Sequence, residues 1–134
     1  MLAALCAQTG VVMIIDKGAD DEVLVLRSFG IQINIASLID HINSNEGRYQ
    51  VCECATSRLL EVNRTDGINR ELLTQMPEYR SNQPILVAAI DEYEWIIDGN
   101  HRLLKRAELG KESTCYISIN GSQLDPYVTE FSWR

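Results

Sequence analysis

Residues 82–119 read NQPILVAAIDEYEWIIDGNHRLLKRAELGKESTCYISI. The apolar run at 85–90 is six residues, right for a buried strand and short for a helix. Asp91 and Glu92 supply a turn, and residues 93–97 return as the antiparallel partner. Asp98-Gly99-Asn100 breaks the pattern. Leu103, Leu104 and Ala107 then share one face of a helix that runs to Leu109, with Gly110 where a terminating glycine belongs. Residues 114–119 form a closing strand. Hairpin, helix and strand in that order predict helices packed on a mixed sheet, an α+β fold.

The same pattern extends upstream. Residues 49–55 suit a strand, and Asp66 is placed to cap a helix whose Ile68, Leu72, Leu73 and Met76 recur on one face. Pro77 should end it. Nearer the start, residues 11–15 and 22–29 are apolar runs joined by a turn-rich acidic loop, which predicts a hairpin. Ile31, Ile33 and Ile35 alternate as in a half-buried strand, and Ser37 is placed to cap a short helix through Ile42. Three segments follow: a β-rich extension at 1–48 packed on the same domain, a core at 49–120, and a tail at 121–134.

Composition restricts the function classes. Twelve basic residues against nineteen acidic ones give a formal charge of −7, which disfavours broad attraction to nucleic acid or to an anionic membrane. Cys6, Cys52, Cys54 and Cys115 lack the spacing of a zinc framework. They read as small buried thiols suited to a reducing compartment, hence a cytoplasmic protein. The opening residues lack the basic start of a signal peptide, and no apolar run approaches the ~20 residues of a membrane helix.

The turn Asp98-Gly99-Asn100-His101-Arg102 concentrates the chemistry. A helix N-terminus leaves backbone N–H groups unpaired and partly positive, so it attracts phosphate. Gly99 lets the chain turn and an anion approach without a Cβ in the way. His101 and Arg102 fall in the first turn, within reach of the same anion, and Arg adds a fork suited to phosphate oxygens. Lys105 and Arg106 continue that face, where a solvated role suffices. Asp98 has three roles open to it: helix cap, Mg²⁺ ligand, or acceptor of a proton from an attacking hydroxyl. Structural capping and an anion site both remain open at this point.

Residues 82–119 also resemble the core of the ParB/sulfiredoxin superfamily. Gln83-Pro84-Ile85-Leu86-Val87 matches its leading strand, Gly99-Asn100-His101-Arg102 its Gly-x-[HR]-R turn, and Leu109-Gly110 its helix end. The segment 57–76, SRLLEVNRTDGINRELLTQM, is similar to the family's upstream strand-loop-helix. The likeness covers roughly residues 49–120 and implies a ParB/sulfiredoxin-like sheet with ATP or CTP and Mg²⁺ at the turn. Sulfiredoxins have a catalytic Cys where this chain has Asn100, so sulfinic-acid reduction is not expected. ParB partitioning proteins usually have Glu-Arg-Arg here and carry a helix-turn-helix as well. The turn is most similar to the Asp-Gly-His-His-Arg of free serine kinases, which also need a catalytic Glu. Glu53 and Glu71 are the candidates for it.

The function expected is therefore nucleotide binding, with ATP-dependent phosphotransfer or nucleotide hydrolysis. Gly99, Asn100, His101 and Arg102 would bind phosphate, Asp98 and His101 would be catalytic, and Asp98 would hold the metal. The alternatives are a non-catalytic binding or regulatory module of a mobile element, and a ParB-like nuclease, which the charge disfavours. The acceptor or protein partner is left open. Of the remaining polar and aromatic residues, His41 reads as solvated or capping and Trp95 as core.

Overall fold

The computed structural model describes residues 15–16, 23–63, 68–90 and 92–130. Its central strand, β4, is Ile85–Ile90, whose first four residues are all buried. A strand with both faces covered needs apolar residues at successive positions, and ILVA supplies them. Four further strands matter to its surroundings: β1 (Val23–Leu26), β2 (Ile31–Asn34), β3 (Val51–Ala55) and β5 (Tyr93–Asp98). Two more, β6 (Ser113–Ile119) and β7 (Val128–Glu130), complete the set.

The larger sheet has the order β3-β6-β4-β5. β4 pairs antiparallel with β5 and parallel with β6. A parallel neighbour needs a crossover, which the helix α5 (Asn100–Glu108) provides. The hairpin at 85–98, the helix to residue 108 and the closing strand are thus where the sequence puts them, and the fold is α+β with a mixed sheet.

Two apolar layers sandwich this sheet. On one face Leu86, Ala88, Ile97, Ile117 and Ile119 pack against Leu38, Ile39 and Ile42 of α1 (Ile35–Ser44) and against Leu26 and Ile33. On the other, Ile85, Val87, Ile96 and Tyr116 pack against Leu59 of α2 (Thr56–Leu60) and Leu103 of α5. At about 25 cal/mol per Å² of apolar surface, fully burying side chains of this size contributes roughly 1.5–3 kcal/mol each.

A smaller antiparallel sheet has the order β1-β2-β7 and pairs Ile31–Ile33 with Val128–Glu130. The tail at 121–134 therefore adds a strand beside the N-terminal segment as well as a short helix, α6 (Gly121–Leu124). The hairpin observed at the N-terminal side is β1–β2, turning at Gly30 with φ 65°. The strand expected at 11–15 lies outside the described residues except for Ile15, which is buried and whose N–H donates to Asn43 Oδ1.

Two capping expectations change. Ile35 does not extend β2, because the Asn34 side chain accepts from the Ser37 N–H and starts α1 there. The cap is Asn34 rather than Ser37. Likewise α3 (Arg70–Gln75) starts after Asn69, whose Oδ1 accepts from the Glu71 and Leu72 N–H groups. Asp66, the expected cap, lies outside the described residues. Pro77 does end α3, and it opens a further short helix, α4 (Glu78–Ser81). No helix among the described residues is long and apolar enough to cross a membrane.

Candidate functional site

α5 docks through a face that includes its arginines. Arg102 and Leu103 are buried, while Ala107 is exposed, so the buried line is rotated from the one that Leu103, Leu104 and Ala107 suggest. Arg102 is 2% exposed, and its Nη2 donates to the Pro84 carbonyl at 2.8 Å and to Asp98 Oδ2 at 3.1 Å. One turn further on, Arg106 Nε donates to the Ser113 carbonyl and to Thr114 Oγ1, and Nη1 donates to Asn82 Oδ1. The two guanidinium groups tie α5 to the residue before β4 and to the first residue of β6. Arg106 is thus an anchor, not part of a solvated face.

Gly99 makes this close approach possible. Its φ is 107°, and a Cβ built there would stand 3.0 Å from Arg102 Nη2 and 3.0 Å from Ile85 Cγ1. Only glycine takes that backbone readily, and only the missing side chain leaves room for the guanidinium. Gly99 is also the N-cap of α5 and offers no side-chain acceptor to its first N–H groups.

Asp98 does not cap α5; its carboxylate faces Arg102, and the two side chains are 11% and 3% exposed. Oδ2 already accepts one hydrogen bond, from Arg102 Nη2. His101 Nε2 accepts the Asn69 N–H at 2.9 Å. A backbone N–H can only donate, so Nε2 carries no proton and the ring's hydrogen sits on Nδ1. His101 therefore joins the start of α3 to the start of α5.

Asp98, Gly99, His101 and Arg102 line a cleft of about 440 Å³ whose far wall is Leu72, Gln75, Met76 and Pro77, with Arg80 beside them. Asn100 is not in that lining; its Oδ1 accepts from Asn63 Nδ2 at 3.2 Å, on the side of the loop after α2. The turn thus divides four residues to one. Of the candidate glutamates, Glu71 is exposed on α3 and accepts from Gln75 Nε2, one turn from the cleft wall. Glu53 lies on β3, the opposite edge strand from β5, about 14 Å away laterally at three strand spacings. It stands opposite Cys115 and is not brought to the cleft.

Arg80 and the apolar wall are functional candidates that sequence reasoning passed over. Their signal was weak: Met76 and Leu72 sit on the apolar stripe of α3, and nothing local links Arg80 to the turn at 98–102. Two buried donors, Arg102 Nε in the turn and Trp95 Nε1 on β5, have no acceptor among the described residues. No group of three or more potential metal ligands occurs among the described residues.

Away from the cleft, His41 is half-buried with Nδ1 at 2.7 Å from the Tyr49 hydroxyl, so it is partnered rather than solvated. Trp95 packs edge-on against Phe29, with ring centroids 5.4 Å apart, as a core residue should. Burial raises the Cys54 and Cys115 thiols above their ordinary value, which keeps them protonated and poorly nucleophilic. Comparison of the chain with protein-family models, curated proteins and solved structures returns no match.

Proposed function

We propose that this chain is a nucleotide-binding protein of the ParB/sulfiredoxin-like kind, whose phosphate rests on the N-terminus of α5. The observation that carries this reading is the cleft itself. An N-terminus without a side-chain cap opens beside Arg80 and faces an apolar wall, in a volume of about 440 Å³. Pockets of roughly 300–1,000 Å³, mostly apolar with a few convergent polar groups, are the usual form of small-molecule sites.

In this reading ATP or CTP binds with Mg²⁺. The first N–H groups of α5, from Asn100 to Arg102, take the phosphate, and His101 Nδ1–H adds a neutral donor. Asp98 serves as Mg²⁺ ligand or as the base for an acceptor hydroxyl, giving phosphotransfer or nucleotide hydrolysis. Catalysis would come mainly from positioning and charge stabilisation. Cys52, Cys54 and Cys115 are free thiols, which suits a cytoplasmic setting.

A second reading keeps the fold and drops the chemistry, making the chain a binding or regulatory module. The Asp98–Arg102 pair favours it, because both groups already have a structural task. Nuclease action is the weaker alternative, since a charge of −7 opposes binding of a polyanion.

Calorimetric titration with ATP and CTP, each with and without Mg²⁺, tests the proposal, with Arg80→Gln, outside the turn, alongside. Saturable binding that the variant weakens supports it, and phosphate release in the same samples separates catalysis from binding. A folded wild-type chain that binds neither nucleotide refutes it.

A further inference from the structure

His101 stands where two helix N-termini meet. It falls in the first turn of α5, and its Nε2 accepts the N–H of Asn69, the N-cap of α3, at 2.9 Å. Both helix ends carry partial positive charge from unpaired N–H groups, so a neutral acceptor suits the junction and a cation does not. A neutral imidazole with its hydrogen on Nδ1 is such an acceptor. Protonation adds a hydrogen on Nε2, where it faces the Asn69 N–H, and two donors at that distance repel. His41, the chain's other histidine, differs: its Nδ1 meets the Tyr49 hydroxyl, which can turn to accept.

Little else holds α3 in place. Leu73 is its one buried residue, and the ion pair from Arg70 to Glu108 is 3.5 Å long between side chains 84% and 49% exposed. Exposed pairs of that kind contribute little. Leu72, Gln75 and Met76 of the cleft wall belong to this helix or to its C-terminal cap.

No carboxylate is set to stabilise a charged ring. α5 packs on α2, α3, α4 and β4. Arg58 of α2 is directed to Glu94 and Glu61, and Glu78 of α4 to Lys111. Glu71 of α3 accepts from Gln75, while Arg80 of α4 donates to Gln83. In the turn itself Asp98 faces Arg102. Lys105 lies one helical turn beyond His101, a like charge at i+4 once the ring is protonated. Among the described residues no acid accepts from the imidazole.

We propose that His101 is a pH-sensitive latch on the cleft. Neutral, it holds α3 against α5; protonated, it releases α3 and opens the wall that Leu72, Gln75 and Met76 form. The latch is closed above the range in which the imidazole titrates and opens as pH falls through it. Its role as regulation rests on the nucleotide reading above, while the latch itself is tested without a ligand.

The test is nuclear magnetic resonance on the full chain between about pH 7.5 and about pH 5.5, a range in which histidine is the side chain that ordinarily changes charge. At the upper end the nitrogen shifts of the His101 ring should place the proton on Nδ1. As the ring titrates, the Asn69 amide should shift with it, and the nuclear Overhauser contacts between α3 and α5 should weaken. His101→Gln offers an amide oxygen in place of Nε2, an acceptor that does not titrate, so its α3–α5 contacts should be the same at both pH values. A neutral ring protonated on Nε2, contacts that persist around a charged ring, or contacts that the Gln variant loses alongside the wild type each overturn the latch. With ATP and Mg²⁺ as the probe, wild-type affinity should fall about tenfold across the same range relative to the Gln variant. The absence of any relative fall overturns the latch too, because a histidine that attracted phosphate by charge alone would bind tighter in acid. A chain that binds no nucleotide at about pH 7.5 refutes the nucleotide reading alone, and the spectra still decide the latch.

Discussion

Replacing Arg102 by Met tests whether α5 is held by its buried guanidinium. Met keeps the length and most of the apolar stem, so the lost contacts are the Pro84 carbonyl at 2.8 Å and Asp98 Oδ2 at 3.1 Å. What matters more is what remains: a carboxylate 11% exposed, at the end of β5, that has lost its ion-pair partner. Removing one partner of a buried ion pair strands the other and costs about 3–5 kcal/mol. Against a total stability of about 5–15 kcal/mol for an ordinary domain, that is a large fraction. Urea titration followed by circular dichroism at neutral pH measures it. The companion Asp98→Asn strands a guanidinium and should be destabilising too, but the double variant strands no charge and loses only the bond to the Pro84 carbonyl. It should recover about 1–3 kcal/mol relative to the sum of the single losses. If Arg102→Met costs under about 1 kcal/mol, the size of an exposed pair, and the two changes simply add, then the pair does not anchor α5 and the account of the cleft fails.

Three further outcomes follow from other contacts. Gly99→Ala places a Cβ 3.0 Å from both Arg102 Nη2 and Ile85 Cγ1 at φ 107°, so it should cost about 1–3 kcal/mol or more in the same urea titration. Thr114→Val removes the hydroxyl that meets Thr56 Oγ1 at 2.7 Å and accepts from Arg106 Nε, leaving Thr56 unpaired and buried. A loss of about 1–3 kcal/mol is expected there, with Thr56→Val added on top restoring part of it. Stability should also fall in alkali. Burial raises Cys54 and Cys115 above 9.0, and Tyr49 and Tyr116 above 10.0, so the unfolded chain loses these protons first. Their contribution is fully present below the unfolded values and declines as pH rises through them; the urea midpoint at about pH 10 should lie below that at neutral pH, and an unchanged midpoint would contradict the burial.

The elements that could be read from the sequence are those whose cause is local. Ile85–Ile90 is a strand because an unbroken apolar run of six suits a strand covered on both faces, and Gly110, with φ 73°, ends α5 as a terminating glycine does. Asn34 and Asn69 were harder, since Ser37 and Asp66 are equally good caps by type and the choice depends on where the preceding strand or loop delivers the chain. The short helices α2, α4 and α6 were not foreseen: at four or five residues they have no periodicity to detect. The site splits the same way. Gly99, His101 and Arg102 reach the cleft because they share one helical turn. Asn100 does not, because its side chain has a partner in Asn63, and Glu53 is excluded by strand order, which no local pattern encodes. Arg80 enters through tertiary packing of α4 on α5 alone.

The assignment of Arg102 and Arg106 as anchors changes how variants of this turn have to be read. A basic face on the first turns of a helix looks like a ligand site, yet here both guanidinium groups meet carbonyl oxygens at the ends of β4 and β6. α5 has to be seated by these bonds before a cleft exists between it and α3, since His101 then meets the Asn69 N–H across the gap. Stability and binding are therefore coupled at residues 98–102. A variant of Arg102 that binds no nucleotide says nothing about phosphate contact, because it also unseats the helix that presents the N–H groups. Positions on the far wall carry no such ambiguity. Leu72 lies on the apolar stripe of α3 with half its surface exposed, so changing its charge alters the field in the cleft while leaving the anchors in place. A charge effect at Leu72 on ligand affinity, with the urea midpoint unmoved, separates recognition from folding where substitutions in the turn cannot.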